Sequence, residues 1–255
     1  MVISKRLSLF ALFILCFTIG SSPPSVAGEL TDAVKLKDVA KVQRLLEAGA
    51  DANEMIRHDC TINIAATMGS PEIVTLLLDA GADIECVGRD GSRPLHNAVF
   101  SGQADIVAQL IKRGAKVDAK DTKGRTPLLK YAVSAGSDLG IAKMLIAAGA
   151  DPKLEDSIEH QNSLQFAAIN GDVDLGKTLV EAHADISGKD GSYWGDTVLG
   201  LATYYHRKKF VEWLIAIGAD VNLRNKQGQT PLQRTRAELL RNLEVEQVLV
   251  DAGGN

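Results

Sequence analysis

Apolar residues recur along this chain in short helical stripes, each closed by a glycine. Residues 69–81 read Gly-Ser-Pro-Glu-Ile-Val-Thr-Leu-Leu-Leu-Asp-Ala-Gly. Apolar side chains at 73, 74, 76, 77 and 78 form one broad helix face, and Gly81 stands where a helix needs a left-handed stop. The phrase returns as Val107-Ala-Gln-Leu-Ile-Lys-Arg-Gly114, as Ala142-Lys-Met-Leu-Ile-Ala-Ala-Gly149 and as Val211-Glu-Trp-Leu-Ile-Ala-Ile-Gly218. It also stands near both ends, at Val42–Gly49 and Val248–Gly253. The stops at 49, 81, 114, 149, 183, 218 and 253 are 32, 33, 35, 34, 35 and 35 residues apart. A fixed period of this size predicts a stacked array of helix pairs in which no unit buries its apolar stripe alone.

A second pattern precedes each stripe. The third unit has Asp90-Gly91-Ser92-Arg93-Pro94-Leu95-His96-Asn97-Ala98, the fourth Lys123-Gly124-Arg125-Thr126-Pro127-Leu128, and the seventh Gln227-Gly228-Gln229-Thr230-Pro231-Leu232. An Asp-Gly pair gives a tight hairpin turn. Thr126 and Thr230 sit where a hydroxyl caps a helix, with Pro127 and Pro231 in its first turn, where no amide donor is lost. Leu95, Leu128, Leu164, Leu199 and Leu232 are read as core, and Ala65, Ala98, Ala167 and Ala202 as small residues that let neighbouring helices approach. Taken together, turn, Thr-Pro-Leu-His-X-Ala, glycine and Glu-Ile-Val-X-Leu-Leu-Leu-X-X-Gly-Ala-Asp resemble the ankyrin repeat. The resemblance implies an all-α solenoid of helix-turn-helix units with β-hairpin-like connecting turns. Seven units are expected, at 29–53, 54–86, 87–118, 119–152, 153–187, 188–222 and 223–255. It further implies that His96 makes a structural hydrogen bond between neighbouring repeats.

Four departures stand out. The fourth unit carries Tyr131 at the small-residue position and one extra residue before its second helix, and His183 replaces a stop glycine. The sixth unit has a longer turn holding Tyr193-Trp194. The last unit is charged (Arg234, Arg236, Glu238, Arg241, Glu244, Glu246) and reads as a solvated C-terminal cap.

The first residues belong to a different pattern. Lys5 and Arg6 precede an apolar run over 7–19, and Ser25-Val26-Ala27 supplies small residues before a cut, so residues 1–27 read as a signal peptide and 28–255 as one mature domain. The run is short for a bilayer span, and no second one follows. The expectation is a soluble, monomeric, exported protein of a bacterial periplasm, without stable membrane insertion. Loss of Lys5 and Arg6 takes the formal charge from −4 to −6, which argues against nucleic acid as a partner. Cys60 and Cys86 remain, and an oxidising compartment would allow them either to bridge or to stay as two thiols.

Catalytic and cofactor chemistry finds little support. Residues 171–178, Gly-Asp-Val-Asp-Leu-Gly-Lys-Thr, satisfy a phosphate-loop pattern, but that motif needs a strand before it and a helix start after it. Here the register places Gly176 and Lys177 inside a second helix, so nucleotide binding is a minor alternative. His58, His96, His160, His183 and His206 fall one to a unit with no ligand spacing, so no metal or other cofactor is expected. No catalytic arrangement is read, and the chain is expected not to be an enzyme.

A recognition surface remains. In ankyrin stacks, partner contacts come from the turn tips and from the exposed side of each first helix. Here the tips lie near Arg57, Arg89, Lys123, Glu159, Tyr193-Trp194 and Lys226. The expected partner-binding residues are Tyr193, Trp194, Tyr204, Tyr205, Phe100, Met68 and Ile169, with Trp194 read as an exposed anchor and Trp213 as core. The function expected is binding of a protein partner, as an accessory that stabilises an envelope protein. The alternative is an immunity-type inhibitor of a toxin.

Overall fold

The computed structural model describes residues 28–236 and 242–255. The signal-peptide reading of residues 1–27, and Glu238 and Arg241 of the C-terminal cap, lie outside them.

The described residues form fourteen helices in consecutive pairs. α1 (Glu29–Lys35), α3 (Thr61–Met68), α5 (Pro94–Phe100), α7 (Pro127–Val133), α9 (Ser163–Asn170), α11 (Val198–Tyr204) and α13 (Pro231–Arg236) pack side by side as one layer. α2 (Val39–Glu47), α4 (Pro71–Asp79), α6 (Ala104–Lys112), α8 (Leu139–Ala147), α10 (Val173–Glu181), α12 (Lys208–Ala216) and α14 (Leu243–Asp251) form the second layer. Leu95, Leu128, Leu164, Leu199 and Leu232, with Ala65, Ala98, Ala167 and Ala202, are all buried in one continuous core running through the repeats. Pro stands in the first turn of α4, α5 and α7, and Thr126 accepts from Leu129 N at 3.2 Å as the expected cap.

Between repeats the chain makes hairpin-like turns. Met55–Ile56 (β1) and Asp59–Cys60 (β2) pair antiparallel, and isolated bridges join Glu155 to Asn162 and Lys189 to Thr197. Successive tips are tied together by main-chain bonds. Thr122 N donates to Asp90 O (3.0 Å), Ser157 N to Lys123 O (2.8 Å), Gly191 N to Glu159 O (2.9 Å) and Lys226 N to Trp194 O (3.0 Å). At the first junction a side chain takes over this role, Arg89 Nη2 donating to Arg57 O at 2.7 Å. The tips therefore form a braced row. His96 performs the role expected of it: Arg93 N donates to Nδ1 (3.2 Å), so Nε2 carries the hydrogen and donates to Arg125 O of the next repeat (3.0 Å).

The departures have local causes. Tyr131 is buried where other units place Ala. Its hydroxyl donates to Gly136 O (2.9 Å), and a Cβ at residue 136 would fall 2.2 Å from its ring, so the loop, which runs two residues longer than that between α5 and α6 rather than the one expected, wraps this side chain. Burial pushes the Tyr131 phenol up to about 12. His183 holds the left-handed stop itself, at φ 66°. The structure joins Cys60 and Cys86 in a disulfide with a sequence separation of 26, which pins the β1–β2 hairpin to the segment after α4. A loop of that size corresponds to about 3 kcal/mol of stabilisation.

Candidate functional site

The inner-helix layer presents the expected palm residues in sequence order. Met68, Phe100, Ile169 and Tyr204 occupy the C-terminal ends of α3, α5, α9 and α11, with Tyr205 just beyond. Phe100 is 61% exposed, and the Lys130 ammonium lies 5.7 Å from the centre of its ring. Met68 and Ile169 are half-buried, and the Ile169 carbonyl accepts from Arg207 Nε at 2.7 Å. Met68 and Phe100 thus fall on one pair of adjacent repeats. Ile169 and the tyrosines fall on another, with α7 between them.

The largest group of aromatics lies in the sixth repeat, and its organising residue is Arg234 of the seventh. The Arg234 guanidinium carbon is 4.2 Å from the Trp194 ring centre and 4.3 Å from that of Tyr204, and Nε is 3.6 Å from Asp196 Oδ2. A planar cation gains by stacking on aromatic faces, and more so once dry. Tyr193 packs edge-on against Trp194 (5.3 Å between centres), as Tyr205 does against Tyr204 (5.1 Å). The longer turn is braced from the next repeat, where Lys226 Nζ donates to Ser192 O and Gln227 Nε2 to Tyr193 O.

This geometry adds to one expectation and corrects another. Trp194 is exposed at the tip, at 37%, with the guanidinium stacked against its ring. Arg234 and Glu246 are not solvated cap charges; each is 5% exposed, Arg234 against the Trp194 and Tyr204 rings of the sixth repeat. Asp196, buried by the same packing, has its carboxyl raised above the usual range by burial, although Asn225 and Arg234 pull it down. At the sixth repeat the exposed aromatic surface is carried mostly by Tyr193 (75% exposed), with Tyr205 and Trp194 beside it.

Sequence reasoning missed Arg234, yet a signal was there. Lys130 occupies the same position, two residues after the core leucine, and reaches Asp90 in the preceding turn at 3.2 Å. A cation at that register with an acid one turn earlier marks a bond between repeats.

Residues 171–178 do not make a phosphate loop. Lys177 and Gly176 lie within α10, preceded by helix α9 rather than a strand. Gly176 is a packing residue: a Cβ there would come 2.8 Å from the Trp213 ring and 2.9 Å from that of Phe210. Trp213 is partly buried against the core, as expected of it. Among the described residues no three His, Cys, Asp or Glu gather in a way that would hold a metal ion. No helix among them is long and apolar enough to cross a membrane.

A cleft of about 720 Å³ lies at the opposite end of the molecule, lined among others by Asp32, Ile56, Arg57, Asp59, Arg89 and Asn97. Arg57 and His58 form its hairpin tip with φ of 53° and 65°, left-handed backbone that the Asp-Gly turns elsewhere assign in part to glycine. Its lining is mixed in charge and carries no aromatic residue.

A family model described as ankyrin repeats, in three copies, matches residues 30–121, 62–156 and 164–255. The chain belongs to the ankyrin-repeat family. It is similar to a putative ankyrin repeat protein of fowlpox virus, 45% identical over 67 residues, which is 26% of this chain and 15% of that protein. It is also similar to the Caenorhabditis elegans homologue of transient receptor potential cation channel subfamily A member 1, 31% identical over 66% of this chain and 14% of the channel. The chain therefore spans about a seventh of the length of these two relatives. The solved ankyrin-repeat domain of Bcl-3 superposes with a TM-score of 0.73 at 22% identity, covering 87% of this chain and 97% of that one. That likeness concerns the fold. Ankyrin repeats generally mediate protein–protein interaction.

Proposed function

We propose that this ankyrin-repeat chain binds a protein partner through its inner-helix face and turn tips, anchored at the sixth repeat. The observation that carries this reading is the Trp194–Arg234–Tyr204 stack, which holds Tyr193 and Tyr205 exposed on a rigid support. Exposed aromatics already fixed in place bury large area at low entropic cost on binding. The tip row sets the charge of the partner. Arg57, Arg89, Lys123 and Lys226 are exposed and, among the described residues, make no ion pair, with Glu159 the acid that interrupts them. In a chain of net negative charge this places cations on the binding edge and favours a partner with an acidic surface. The leader-like residues 1–27 support a place outside the cytoplasm, where the chain acts as an accessory to an envelope protein.

The test is capture from envelope extract on immobilised residues 28–255, compared with the Tyr193→Ala/Tyr205→Ala variant. One acidic protein held by the parent and released by the variant, with affinity falling as salt rises, is the expected result. Equal retention by both would remove the aromatic anchor from the proposal.

A further inference from the structure

Glu54 stands ahead of the β1–β2 hairpin, and its two ends face different neighbours. Its main-chain carbonyl accepts from Thr61 N (3.1 Å) and Thr61 Oγ1 (3.0 Å), which closes the hairpin. Its carboxylate turns back onto α1. Oε1 lies 2.5 Å from the Gly28 nitrogen, Oε2 accepts from Thr31 Oγ1 at 3.1 Å, and that hydroxyl is 2.8 Å from Thr61 Oγ1. A half-buried carboxylate is thereby fixed against one backbone nitrogen. Yet among the described residues no Lys, Arg or His comes within ion-pair distance of Glu54, although Glu29 and Asp32 on the neighbouring helix both have lysine partners. A carboxylate withdrawn from water without a counter-charge is costly, and one paired and hydrogen-bonded is not.

We propose that the missing cation is the amino terminus of the processed chain. Hydrolysis of the 27–28 peptide bond consumes one water, leaves a carboxylate on residue 27 and turns the Gly28 nitrogen into an ammonium. Glu54, positioned by Thr31, is the receptor for that ammonium. The inference rests on the leader reading of residues 1–27. Processing then does more than release the chain: it converts a neutral amide contact into a charged one that ties the first helix to the second repeat. The positive end of the α1 dipole opposes an ammonium at this place, which is why the acids matter. The charged groups lining the cleft that Gly28 borders are Asp32 and Lys35 of α1, Arg57 and Asp59 of the hairpin, and Arg89 and Asp90 of the next turn. These six are balanced in sign, which leaves Glu54 as the acid in contact.

The test compares residues 28–255 with a free terminus and with the same terminus acetylated, each with Glu54 or with Glu54→Gln. All described residues are retained. At pH 6.5, amide exchange in α1 is expected to be about tenfold slower with the free terminus than with the acetylated one, and Glu54→Gln should abolish the difference. The matching difference in melting temperature should vanish by about pH 10, where an α-ammonium is discharged. Equal exchange in free and acetylated chains, or a difference that survives Glu54→Gln, overturns the role of Glu54. The mass of the chain recovered after export tests the leader separately: a terminus at Gly28 supports the proposal, and any other terminus overturns it whatever Glu54 does in the purified chain.

Discussion

Arg234→Met is the most informative single change in the candidate site. It removes the cation from between Trp194 and Tyr204 while keeping an unbranched side chain of similar reach. Its main cost falls on Asp196. The two side chains are 7% and 6% exposed, and Arg234 Nε lies 3.6 Å from Asp196 Oδ2. Taking one partner from a buried ion pair costs about 3–5 kcal/mol. Asn225 still donates to Asp196 at 2.9 Å, and the carboxyl can take up a proton, so the lower end applies: about 3 kcal/mol at pH 7. In a chain of this size that is roughly 6–12 °C in melting temperature. The two tryptophans, Trp194 and Trp213, both lie in the sixth repeat, so urea unfolding followed by tryptophan fluorescence reports on this end of the stack. The sign of the pH effect follows from Asp196, whose carboxyl is already raised by burial. A carboxyl raised in the folded state binds more protons there than in the unfolded chain, so its contribution to stability falls as pH rises through that range. Without Arg234 the raise is larger, so the deficit of the variant should shrink on acidification. A variant within about 1 kcal/mol of the parent at pH 7, or a deficit independent of pH, would refute the stacked ion pair as a support of the site.

Two further outcomes are expected. Gly176→Ala should destabilise by about 1–3 kcal/mol in denaturant unfolding, despite the better helix propensity of alanine, because the added methyl meets the Phe210 and Trp213 rings; millimolar ATP should shift the melting temperature of neither parent nor variant. His96 is held neutral by burial, with its pKa below the usual 6.5, so it contributes stability above that value that is lost as pH falls through its folded pKa. Its ring resonances in NMR should accordingly titrate with a midpoint below 6.5, and a midpoint at or above that value would contradict the neutral ring, accepting from Arg93 N at Nδ1, as the resting state.

Much of this molecule was legible in its sequence. The 32–35-residue spacing, the Thr-Pro starts and the glycine stops specify each helix pair locally, because caps, turns and apolar stripes act within a few residues of one another. The same register places Lys177 inside a helix and Trp213 against the core. It also gave the palm positions, since every repeat ends its first helix at the same point.

What the sequence did not decide is which side chains of one repeat reach the next. Arg234 reads as a surface charge until the sixth repeat lays Trp194 and Tyr204 against its guanidinium. The cation against the Trp194 ring is hidden in the sequence for the same reason, and Tyr131 reads as a misfit until Gly136 makes room for its ring. Glu54 reads as an ordinary turn residue, with nothing local to bring it to Gly28. Periodicity fixes the fold because each unit needs only its own pattern to form. The site is decided between units, where a cation, a ring and an acid some 30 to 40 residues apart become neighbours only once the repeats have stacked.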